Sequence, residues 1–119
     1  MSSPWDLTHQ VEQVIKFREE RDWKQFHRPK ELAAGLAIEA AELQELFLWR
    51  EGEDAADILV DEERAAKIRE EIGDIAIFVL MLSHDLAVDL SSAVSDKIAL
   101  NERRYPVETN RGRARKAPH

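Results

Sequence analysis

Two short acidic pairs, Glu39-x-x-Glu42 and Glu71-x-x-Asp74, are the residues of this chain best spaced to do chemistry. An i, i+3 spacing puts both side chains of a pair on one helix face. Counting about 100° per residue from Glu39, residues Leu32, Leu36, Leu43 and Leu46 fall within about 60° of it, so Glu39 lies inside an apolar stripe. The same count around Asp74 places Ile77, Phe78, Met81 and Leu82 on its side. A carboxylate buried without a partner costs several kcal/mol, so such groups pair or bind metal. Converging oxygen donors with no Cys and no nearby His suit a hard cation, Mg²⁺ first, with Mn²⁺ as a substitute. Acidic pairs are also common on solvated helix faces, and either pair alone would read that way. Two pairs in two apolar stripes favour the metal. Glu12, Glu19, Glu20, Glu51, Glu53, Glu62 and Glu63 read as ordinary solvated residues.

Aromatic residues offer a second function. Trp49 follows Glu42 by seven residues, which on a continuous helix sets it on the same face about 10 Å further along. Trp23, Phe26 and His27 cluster upstream. A planar group could stack among these rings while its phosphates reach the metal, and His27 could hydrogen-bond its edge. The competing reading is that Trp23, Phe26 and Trp49 fill the core.

Helices must position these groups, because helical periodicity dominates and strand-like alternation is absent over any useful length. Asp6 is placed to cap a first helix ending near Arg21, with Leu7, Val11, Val14 and Phe17 on its face. Residues 22–28 form a connector. Pro29 suits the first turn of a second helix, expected to run to about Trp49 and to stop before Gly52. Residues 53–60 read as a linker with room for a short helical turn. Asp61 caps a third helix to about Leu86, and Asp89 caps a fourth to about Arg104, ahead of Pro106. Four helices with short connectors predict an all-α four-helix bundle. The third is apolar over more than half its circumference, which predicts an oligomer. Gly35 and Gly73 each weaken a helix by roughly 1 kcal/mol relative to Ala, a cost consistent with close helix packing.

With 119 residues, 44% hydrophobic and 34% charged, the chain is sized for one soluble domain with a modest core. It has no cysteine, which excludes a disulfide framework, a thiol nucleophile and a zinc–thiolate site. No N-terminal apolar stretch resembles a signal peptide, and the longest apolar run, 75–82, is far short of the roughly 20 residues of a membrane span. A cytoplasmic protein with no membrane partner is expected. The net charge of −7 argues against a general nucleic-acid binder. Arg111, Arg113, Arg115 and Lys116 crowd a tail without apolar periodicity, which reads as disordered. A di-iron bundle needs Glu-x-x-His, and none of His9, His27 and His84 has Glu three residues earlier. There is no EF-hand loop, no glycine-rich phosphate loop and no arguable Ser–His–Asp set.

Four stretches carry a resemblance. They are Phe17-Arg-Glu-Glu-Arg-Asp-Trp-Lys-Gln-Phe-His27, Glu39-x-x-Glu42-Leu-x-Glu-Leu-Phe-x-Trp49, Glu70-Glu-x-x-Asp74 and Lys97-x-x-x-Asn101-x-x-Arg104-Tyr-Pro106. Through them the chain resembles the MazG-like, all-α nucleotide pyrophosphohydrolases, and within these the dCTP pyrophosphatase branch. The resemblance implies a domain over residues 1–106, with 107–119 as a basic tail. It also implies Mg²⁺-dependent hydrolysis of a nucleoside triphosphate to the monophosphate and pyrophosphate, in nucleotide-pool house-cleaning. By the same resemblance Glu39, Glu42, Glu71 and Asp74 are the metal ligands. Trp23, His27 and Trp49 contact the base, and Lys97, Asn101 and Arg104 reach phosphate or sugar. A homodimer or homotetramer is the implied assembly. Phe78 stands where a tyrosine is expected in dCTP-specific relatives, and the lost hydroxyl removes a polar contact with substrate.

The chemistry expected is metal-assisted phosphoanhydride hydrolysis, with Glu42 or Glu71 holding the attacking water. Four carboxylates and a triphosphate carry about eight negative charges at neutral pH. One Mg²⁺ cannot balance them, so further Mg²⁺ or basic side chains must contribute. Two alternatives stand beside this one: a house-cleaning hydrolase for dUTP or a damaged nucleotide, and a non-enzymatic helical adaptor whose acids are only surface charge.

Overall fold

The computed structural model describes residues 3–113. It is all-helical, with no strand among the described residues. The elements are α1 (Thr8–Glu20), a single 3₁₀ turn (Lys24–Phe26), α2 (Pro29–Glu45), α3 (Ala55–Leu59), α4 (Glu62–Asp85), α5 (Leu90–Arg104) and α6 (Val107–Asn110). They fall into two compact units, one through Leu86 and one from Ala87. No single helix among the described residues is long and apolar enough to cross a membrane.

Local chemistry sets most boundaries. The Asp6 carboxylate accepts from the Thr8 backbone N at 3.1 Å and its Oγ1 at 2.7 Å, although the cap position itself is Leu7. Pro29 opens α2, where its missing N–H costs nothing. The Asp61 carboxylate accepts from the Arg64 amide at 3.1 Å, and Asp89 accepts from Ser92 at 3.0 Å. The linker read over 53–60 contains α3, closed by a reciprocal capping box between Asp54 and Asp57. Residues 107–110 of the basic stretch form α6, while residues 114–119 lie outside the described residues.

One expected boundary is wrong. Helix α2 ends at Glu45 rather than Trp49, and residues 46–49 form a turn. Trp49 therefore does not share a helix face with Glu42. Its φ of 65° is left-handed, a region that a bulky side chain enters only at some cost.

In the first unit α4 packs chiefly along α2, with α1 and α3 against it as well. Leu32, Leu80 and Met81 are its buried hydrophobic residues. The α2–α4 approach is close at Gly35: a Cβ there would lie 2.6 Å from the Phe78 ring. Gly35 thus lets the ring of Phe78 lie directly on the α2 backbone. Gly73 meets nothing within 4 Å, so the packing reason expected for that glycine is not found. At the other end of α4, Arg18 is 2% exposed and donates from both terminal nitrogens to Asp85, at 2.7 and 2.8 Å. That bidentate pair ties α1 to the last turn of α4.

Candidate functional site

Glu39 and Glu42 project from the second half of α2, and Glu71 from the middle of α4. Each offers one oxygen to a common point, and the three oxygens lie within 4.8 Å of one another. The close approach at Gly35, one turn before Glu39, is part of what brings the two helices together here. Glu39 and Glu71 are half-buried and Glu42 is exposed. One oxygen of Glu39 and one of Glu71, Oε2 in each, is buried with no hydrogen-bond donor reaching it.

The electrostatics follow from this crowding. The Glu39 carboxyl is held above the usual carboxylate range, first by a hydrogen bond shared with Glu71 and then by burial. Its hydrogen bond with Glu42 works the other way, while the charges of Asp74 and Glu71 add to the rise. Glu42 is also raised, first through its hydrogen bond with Glu39 and then by the charge of Glu39. None of the ion pairs among the described residues involves Glu39, Glu42, Glu71 or Asp74. Three oxygen ligands of like charge with no cationic partner are a donor set that fits a hard divalent cation. Asp74 is exposed and stands outside the converging triplet, though near enough to act on Glu39 through its charge.

The aromatic residues separate into two groups. Trp23 and His27 meet across the 3₁₀ turn, ring centroids 6.2 Å apart at 70°, and Trp23 also meets Phe17 edge-on at 5.6 Å. Arg21 lies 3.6 Å over the Phe17 ring. The Nδ1 of His27 is buried without a hydrogen-bond partner. Trp49 is 95% exposed, Phe26 64% and Trp23 42%. None of them is core, which overturns the competing reading. Phe78 is half-buried against Gly35. Lys97, Asn101 and Arg104 lie on one face of α5, in the second unit; the first two are exposed and Arg104 is half-buried.

Sequence reasoning missed one carboxylate of consequence. Glu53, read as solvated, has a side chain only 15% exposed and pairs with Arg64, itself 7% exposed. Arg18 was missed too, although it sits one turn from Val14 and Ile15 on the inner face of α1.

Comparison with known proteins places these features in a family. The profile described as the MazG-like family matches residues 35–118. The dCTP pyrophosphatase 1 of Bos taurus is 42% identical over 99 residues, which cover 83% of this chain and 59% of that protein. That of Homo sapiens is 42% identical over 102 residues, 85% of this chain and 59% of the other. The chain thus spans about three-fifths of the length of the curated relatives it matches. Among solved structures, a pyrophosphatase from Archaeoglobus fulgidus superposes with a TM-score of 0.75 at 33% identity, covering 89% of this chain and 97% of that one. Both acidic pairs and α5 fall inside the matched stretch, and the chain belongs to the MazG-like family.

Proposed function

We propose that this chain is a metal-dependent nucleoside triphosphate pyrophosphohydrolase, converting dCTP or a related pyrimidine deoxynucleotide to its monophosphate and pyrophosphate. The convergence of Glu39, Glu42 and Glu71 carries this reading. The dCTP pyrophosphatases among its relatives supply the substrate class.

Glu39, Glu42 and Glu71, with Asp74 beside them, would hold Mg²⁺, which supplies phosphate polarisation and offsets the carboxylate charge. Glu42 faces solvent, so it is suited to hold a water and accept its proton. Glu71 is more enclosed and is better placed as a fixed ligand. Trp23 and Trp49 offer exposed faces for stacking on a base, and His27, beside Trp23, is the proposed hydrogen-bonding group for the base edge. Phe78, seated on Gly35, limits how far a ligand can enter between α2 and α4. Lys97, Asn101 and Arg104 are proposed as phosphate or sugar contacts on the family resemblance alone. Leu59, Val60 and Ile72 are 71%, 82% and 54% exposed, which supports assembly as a homodimer or homotetramer.

The test is a screen of common and modified nucleoside triphosphates with and without Mg²⁺, with products identified. Metal-dependent release of pyrophosphate, fastest from dCTP, is expected. A diphosphate and orthophosphate as products would contradict the cleavage site. No turnover of any nucleotide would favour the adaptor reading.

A further inference from the structure

The loop after α2, residues 46–53, carries an aromatic ring that packing does not explain. Trp49 is 95% exposed and its backbone is left-handed, with φ of 65°. That conformation costs roughly 1–2 kcal/mol for a residue with a Cβ. A bulky side chain that is both bare and strained persists only where its surroundings over-determine it.

One buried guanidinium supplies that determination. Arg64, in the first turn of α4, donates from Nε and Nη2 to the carbonyl of Leu46, at 3.0 and 2.7 Å. Its Nη1 donates to the carboxylate of Glu53. Leu46 and Glu53 are the two ends of the loop, and Trp49 lies between them. The same guanidinium lies 5.3 Å from the centroid of the Phe47 ring. Arg64 is held from below as well, since its own amide is capped by Asp61. The planar fork of arginine can meet both ends of a loop at once, whereas a lysine ammonium is a single point.

We propose that Arg64 and Glu53 are positioning residues that close the 46–53 loop and present Trp49 for stacking on the base of a nucleotide. This rests on the reading that Trp49 is a base contact. The clasp also fixes the turn that follows Glu42 on α2, so the base platform and the carboxylates share one rigid support.

The test is a double-mutant cycle in this chain, reading KM and kcat for dCTP at saturating Mg²⁺, with melting temperature beside them. Trp49→Ala raises KM by about 5- to 150-fold, the range that stacking on one base spans. Arg64→Lys and Glu53→Ala each raise KM by about threefold or more in the parent chain and by less than about twofold in the Trp49→Ala chain, because they act through that ring. In a chain whose other tryptophans, Trp5 and Trp23, are replaced by Phe, Arg64→Lys lowers the fluorescence anisotropy of Trp49. Equal KM increases with and without Trp49 would overturn the clasp while leaving Trp49 as a base contact. An unchanged KM in Trp49→Ala would overturn both. If Arg64→Lys fails to fold, Glu53→Ala decides by the same criteria.

Discussion

Carboxylates are withdrawn from water at three places along α4, and the chain treats the central one differently from the outer two. Glu53 faces Arg64, so its charge is matched even though its Oε1 lacks a donor. Asp85, at the far end of the helix, faces Arg18 in a bidentate pair. Between them Glu39 and Glu71 converge with Glu42, and no arginine or lysine among the described residues pairs with any of the three. The structural acids have counter-charges built into the sequence. The central acids crowd one another, which holds Glu39 and Glu42 above the usual range. A fold that satisfies its other enclosed acids and leaves this group to itself is arranged for a positive charge from outside.

Breaking the central group should give the largest effect. Glu39→Gln, Glu42→Gln, Glu71→Gln and Asp74→Asn each keep side-chain size and remove a metal-binding charge. Activity should fall by about three orders of magnitude or more, since the metal contributes several kcal/mol to the transition state. The melting temperature of the metal-free protein should hold or rise in the Glu39 and Glu71 variants, because repulsion is relieved. A variant with near-normal turnover would remove its residue from the ligand set. Asp74 is the member most open to that outcome, being exposed and outside the triplet.

Breaking a built-in pair should instead cost stability. Arg18→Met leaves Asp85 without its partner in a site where the two side chains are 2% and 13% exposed. Loss of about 3–5 kcal/mol is expected in chemical denaturation. The pH dependence has a definite sign. The Arg18 hydrogen bonds hold Asp85 below the usual carboxylate range in the folded state. Its stabilisation is therefore full above the unfolded value, about 3.9, and is lost as pH falls through the folded one. The Arg18→Met protein should lack this acid-side component. Glu39 and Glu42 act oppositely: raised in the folded state, they make the metal-free protein less stable as pH rises through their folded values. Saturating Mg²⁺ should remove that slope.

The two ends of α2 show what was legible in the sequence. Its start was marked by Pro29, and its acidic pair and Gly35 stood out by spacing alone. Its end carries no local mark. The turn at 46–49 is held by Arg64, 18 positions after Leu46, and a contact of that range leaves no periodic trace. The misplaced end hid the true setting of Trp49 and made Glu53 look like a surface residue. The caps Asp61 and Asp89 were readable because capping is a contact over a few residues.

Smaller effects separate the aromatic rings. Trp49→Ala should raise KM with little change in melting temperature, because a ring 95% exposed contributes little burial. Trp23→Ala should raise KM and also lower stability modestly, since that ring touches Phe17 and His27. Equal losses of stability in the two would contradict the distinction. At the bottom of the scale, Glu45→Gln and Glu63→Gln should fall within about 0.5 kcal/mol of the parent and turn over normally.

The most direct test is thermal unfolding of the metal-free chain titrated with Mg²⁺, in parallel with Glu39→Gln and Glu71→Gln. A ligand that binds only the folded state stabilises it by about 2.7 kcal/mol at a hundred times its Kd. The parent protein should show a saturable rise in melting temperature. The two variants should start at or above the metal-free parent and rise little. An equal rise in all three proteins, or no rise in the parent, would contradict a cation site at Glu39, Glu42 and Glu71.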